Sequence, residues 1–98
     1  MRAYRGEPFH FQLGITVVDC WVPGHVLDLE IVDSSGERLA PGRRLLLPGG
    51  ERETGLVNVV RGLGFIPQRP GVHAINFRLD RRWGGDIRFE VLESRWLH

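Results

Sequence analysis

QRPGVHAINFRLDRRWGGDIRFEV, residues 68 to 91, divides into a turn, a strand, a polar loop and a second strand. After Pro70-Gly71, the residues His73, Ile75, Phe77 and Leu79 alternate with Val72, Ala74, Asn76 and Arg78. Beyond the loop, Ile87, Phe89 and Val91 alternate with Arg88 and Glu90. A period of two with the apolar residues in phase means that each strand buries one face and wets the other. Joined by Asp80 to Asp86, with Gly84-Gly85 inside, the two runs predict a hairpin. The phase also predicts Phe77 and Phe89 as buried neighbours across it.

The pattern repeats upstream. Phe9, Phe11, Leu13, Ile15 and Val17 form five in-phase apolar positions, ended by the Pro23-Gly24 turn of DCWVPGH (19–25). Val26 to Val32 is a second strand, with Leu27, Leu29 and Ile31 inward. Asp33-Ser34-Ser35-Gly36 is a turn, because Asp and Ser side chains bond nearby backbone and Gly permits positive φ. Glu37 to Leu39 is expected to extend beyond it as a short strand, and Arg44 to Leu47 to form another. Leu56 to Arg61 is near-continuously apolar, which predicts cover on both faces. Gly62 and Gly64, bracketing Leu63, predict a bend or bulge before Phe65. Residues 1–8 are expected to be a loose leader, and 93–98 a tail whose Trp96 and Leu97 fold back or serve a partner.

Ninety-eight residues make one domain with one core, residues 1–98. Thirteen glycines and six prolines against three alanines favour strands and turns over helices. Six to eight short strands with regular turn signals predict a two-layer antiparallel β-sandwich with immunoglobulin-like or Greek-key connections. A small closed barrel is the alternative.

GLVNVVRGLGFIPQRPGVHAINFRLDRRWGGDIRFEV (55–91) resembles the second half of a family of short bacterial β-sandwich proteins of unknown function. Shared features are a strand before a Pro-Gly turn, an alternating strand, a polar loop and a closing strand. FHFQLGITV and HVLDLEIVDSSGERL are similar to that family's opening strands, so the resemblance runs from Phe9 to Val91. The chain departs from the family at His73, where an aromatic residue, often Tyr, is usual, and in a shorter opening segment. The resemblance implies the sandwich fold and supplies no catalytic residues.

All thirteen basic residues are arginine, a usage typical of GC-rich coding, and the formal net charge is +1. So small an excess argues against nucleic acid as a partner, since phosphate binding needs basic residues massed on one face. No run reaches the roughly 18 apolar residues of a membrane span, and MRAYRGEPFHF lacks the apolar core of a signal peptide. With Cys20 the only cysteine, a reduced, cytoplasmic setting is expected.

Chemistry is sparse. Cys20 and His25, five residues apart across a Pro-Gly turn, would complete at most half a zinc site, so no metal and no cofactor are expected. His73 points inward, either as the stand-in for a corner tyrosine or as a general base. The best binding candidates are Arg81, Arg82, Trp83 and Asp86, in the hairpin loop, and Trp21. Trp and Arg are the usual anchors of interfaces. Together these features predict a non-catalytic protein-interaction module that binds itself or a protein partner through exposed strand edges. A small-ligand binder, for carbohydrate among others, built on Trp21 and Trp83 is the second possibility. An enzyme using His73 or His25 is the third.

Overall fold

A computed structural model describes residues 2–39 and 42–93, the side chain of Trp83 excepted. These residues form seven strands and no helix: β1 (Arg2–Tyr4), β2 (Phe9–Val17), β3 (Val26–Val32), β4 (Arg43–Leu46), β5 (Val57–Phe65), β6 (Gly71–Leu79) and β7 (Trp83–Leu92). The chain is therefore all-β. Five strands, in the order β1-β7-β6-β3-β4, make a mixed sheet curled into half a barrel. β2 and β5 pair separately as an antiparallel ribbon whose core-facing side chains pack against that sheet.

The alternating runs form as expected, but β4 spans 43–46 rather than 44–47, β5 continues to Phe65 rather than ending at Arg61, and β7 starts at Trp83 rather than after Asp86. Val26 to Val32 pairs with both β4 and β6. The 33–36 turn closes around Asp33, whose Oδ1 accepts bonds from the Ser35 and Glu37 amides and the Ser35 hydroxyl. Those bonds, the Ser35 hydroxyl foremost, hold its carboxyl below the ordinary value. After that turn only a single bridge, Val32 to Arg38, replaces the short strand expected over Glu37–Leu39.

Several expectations are corrected. The leader is not loose: β1 pairs in parallel with Glu90–Leu92 and buries Ala3, an arrangement too short to show as periodicity. That pairing also makes the sheet mixed rather than purely antiparallel. β5 is covered on one face only, with Val60 exposed on the other. It runs through Gly62 and Gly64 in unbroken register with β2, without a bulge. Gly64 serves a neighbour instead: a Cβ there would come within 2.5 Å of His10 Nδ1, because the His10 ring lies across it. Trp96 and Leu97 lie outside the described residues.

The core runs between ribbon and sheet. Leu13, Val17, Val57, Val59, Leu63 and Phe65 meet Leu27, Leu29, Ile31, Ile75, Phe89 and Val91. At one end Phe89 gathers the rings of Phe9 (5.9 Å between centroids), Phe11 (6.3 Å), Phe65 (5.7 Å) and His73 (5.6 Å). Phe77 and Phe89 are not cross-strand neighbours. Phe77 faces Gly85 and Phe89 faces His73, at different levels of the hairpin. Phe77 is half-buried.

The ribbon is two strands wide against five. At roughly 4.8 Å per strand it is too narrow to cover the whole inner face of the larger sheet. Ile87 marks the shortfall: it lies in the core phase of β7 yet is 39% exposed.

Phe89→Ala should cost about 3–5 kcal/mol, the usual loss for a buried aromatic. Phe77→Ala should cost clearly less, and guanidinium denaturation of the two variants measures both. Equal losses would contradict their unequal burial.

Candidate functional site

The hairpin turn is shorter than the sequence suggests. Only Asp80 to Arg82 lie between β6 and β7. Asp80 and Arg81 both take left-handed backbone, φ 53° and 60°, and the Arg82 amide donates to the Leu79 carbonyl at 3.0 Å. Two central residues at positive φ match the right-handed twist of the strands. Asp is among the residues that visit this region most readily, and here bonds to a distant loop hold it there. Gly84-Gly85, expected inside the loop from Asp80 to Asp86, instead sits inside β7. There the small residues admit Phe77 and Arg78 of β6, whose atoms a Cβ at either position would strike.

Asp80 joins this turn to the loop between β2 and β3. Its Oδ1 accepts the Val26 amide at 2.8 Å, and its Oδ2 accepts Nδ1–H of His25 at 2.6 Å. The Asp80 amide donates to the Val26 carbonyl at 2.7 Å. The Val26 amide first and His25 second hold the Asp80 carboxyl below its ordinary value of 3.8. The two loops singled out in the sequence, 19–25 and 80–86, thus meet at one end of the molecule through His25 and Asp80.

Beneath this joint opens a cleft of about 610 Å³, lined chiefly by Ile15, Val17, Phe77, Leu79, His25 and Asp80. His25 is a wall of this cleft, which Cys20 also lines. Cys20 is buried, with its thiol directed to the Pro48 carbonyl at 3.5 Å. No group of three metal-ligating side chains occurs among the described residues. Trp21 is 53% exposed and does not line the cleft. Its ring lies over Gly55, where a Cβ would come within 3.1 Å of it. With Val18 and Val22 it gives the loop an apolar outer surface.

The remaining candidates separate. Arg81 and Arg82 are exposed on the turn. Asp86 lies in β7 rather than a loop and pairs with Arg88 at 2.8 Å on the outer face. Arg82, Asp86 and Arg88 share a shallow groove there with Glu30, Asn76 and Arg78. Trp83 opens β7 opposite Leu79, and its side chain lies outside the described residues. Among the described side chains, Trp21 and Arg81 line neither this groove nor the cleft.

His73 is 0% exposed, with its ring among Phe65 and Phe89. Its Nδ1–H donates to the Gly71 carbonyl at 3.1 Å, and Nε2 has no partner among the described residues. The bond to backbone at a strand start is the role expected of a corner tyrosine. Full burial among phenylalanines keeps a substrate away from the ring. No protein-family model matches the chain, and no curated protein or solved structure matches it either.

Two variants probe these histidines and their partners. Asp80 contributes fully above its ordinary value, because folding holds it ionised. That contribution is lost as pH falls through its lower folded pKa. Asp80→Asn should therefore destabilise near neutrality and lose less than the wild type on acidification below about pH 4. Melting curves against pH read the two limbs, and parallel curves would mean that Asp80 is not linked to folding. His73→Phe keeps a ring in the phenylalanine cluster and removes the unpartnered Nε2, so its stability should match or exceed wild type. A loss above about 2 kcal/mol would show that the imidazole makes a polar contact worth keeping.

Proposed function

We propose that this protein is a non-catalytic protein-interaction module that associates with itself. The observation that supports the reading is the unequal width of the two layers. A two-stranded ribbon faces a five-stranded sheet, each ribbon strand has only one ladder partner among the described residues, and Ile87 is left partly uncovered. Unpaired strand edges are templates for another chain, and added strands would extend the narrow layer. In this reading the fold is a sandwich of the immunoglobulin-like or Greek-key kind whose second layer is completed on association.

The cleft under His25 and Asp80 favours a second reading, a small-ligand site with apolar walls and one imidazole. Trp21 is not part of it, which weighs against a carbohydrate platform built on the loop tryptophans. Sedimentation velocity at micromolar concentrations separates the two readings. The interaction reading expects a dimer or larger species, since symmetric assembly is the common outcome for such surfaces. A monomer across the whole range would overturn it and leave the cleft as the feature to pursue.

A further inference from the structure

Among the described residues, the strand edges left without a ladder partner differ sharply in how they are guarded. β1 is three residues long and begins at Arg2. β4 is four residues long and half arginine, and its Arg43 occupies a core-phase position opposite buried Leu29 yet is exposed. β7 beyond the reach of β1 carries the paired charges of Asp86 and Arg88. β5 has Arg61 at its centre, again in the core phase, opposite buried Leu13 and turned to solvent. Short strands and charges at core-phase positions are the usual devices that stop an edge from pairing. β2 has neither: FHFQLGITV is nine residues long and contains no Asp, Glu, Arg or Lys.

Resting on the self-association proposed above, we infer that the free edge of β2 pairs antiparallel with β2 of a second copy, about a two-fold axis at Leu13, building a four-stranded second layer. In that register Leu13 meets Leu13, Phe11 meets Ile15 and Phe9 meets Val17, so the apolar phases coincide along the whole strand. On the outer face Gln12 meets Gly14, and His10 meets Thr16. No like charges oppose one another. The same operation on β5 would set Arg61 against Arg61, and on β4 would crowd four arginines, both unfavourable across a ladder.

The surroundings of β2 fit an added strand. β2 is the ribbon strand on the β7 side, since Phe9 and Phe11 approach Phe89 of β7, whereas Phe65 approaches both Phe89 and His73 of β6. A strand beside β2 therefore extends the second layer toward Ile87. The same register places Phe9 and Phe11 of the second copy next to Val17 and Ile15, at the apolar cleft. A nine-residue ladder spans about 30 Å.

Gly14 provides the test. It lies on the outer face of β2, and a Cβ there meets nothing within 4 Å. Gly14→Arg therefore leaves the protomer unstrained while bringing two arginines together near the axis, within reach of long side chains. Gly62→Arg places the same charge on the same outer face of β5, where a Cβ also meets nothing within 4 Å. Sedimentation velocity, with a melting curve for each variant, should show Gly14→Arg weakening the dimer by about tenfold or more. Gly62→Arg should dimerise like the wild type, and mixing Gly14→Arg with Gly14→Glu chains should restore association. A wild-type dimer that Gly14→Arg disturbs no more than Gly62→Arg does would overturn the β2 assignment and leave the interaction reading standing. A wild-type monomer would overturn both.

Discussion

Among the described residues no strand ladder ties the β2–β5 ribbon to the five-stranded sheet, so the two layers rely largely on side-chain packing. Phe89 concentrates that packing. Its ring touches Phe9 and Phe11 from β2, Phe65 from β5 and His73 from β6, and so links both ribbon strands to the hairpin. Buried aromatic pairs add about 0.5–1.5 kcal/mol each beyond the area they bury. A ribbon held this way can be oriented by the fit of a few rings rather than by a ladder to the larger sheet. This makes the phase of Phe9 and Phe11 decisive, because a shift of one residue would turn them to solvent.

The opposite end is held by polar groups instead. Asp80 bonds the Val26 amide and His25, and the Cys20 amide and carbonyl engage Gly55 and Gly50. Among the described side chains aromatic cover thins there, with Phe77 only half-buried, and that is where the cleft opens. Hydrogen bonds hold the loops in place without filling the space between the layers. The apolar end and the polar end are thus complementary solutions to one problem, a second layer too narrow for the first.

Most of the strand pattern is legible in the sequence because a period of two is a strong signal over seven to ten residues. β2, β3, β6 and β7 all carry it. β1 is invisible for the same reason, since three residues cannot display a period and its partner lies at the far end of the chain. The hairpin turn is hidden because Asp80 to Asp86 reads as one polar loop with Gly84-Gly85 inside. The turn actually forms at Asp80 and Arg81, where bonds from Asp80 to a distant loop compensate an unfavourable backbone. The joining of His25 to Asp80 has no sequence signature, being a contact across 55 residues. The significance of Arg61 and Arg43 was equally hidden. A charge in an apolar phase reads as an interrupted strand until the strand is seen to be an edge.

The parallel pairing of β1 with β7 bears on the order in which the chain acquires its structure. Arg2 waits for Glu90, and Tyr4 for Leu92. During synthesis the first strand has no ladder partner until the last has left the ribosome. Its edge and the small side chain of Ala3 stay solvated throughout. Closing so long a loop is entropically costly before any contact rewards it, and chains dominated by such contacts fold slowly, in milliseconds to seconds. The uncharged β2 strand, made early, passes that interval with both of its edges open until β5 is synthesised. A nascent chain is therefore most exposed to unwanted strand pairing while the ribbon lacks its second half, and rapid synthesis through residues 57–65 shortens that window.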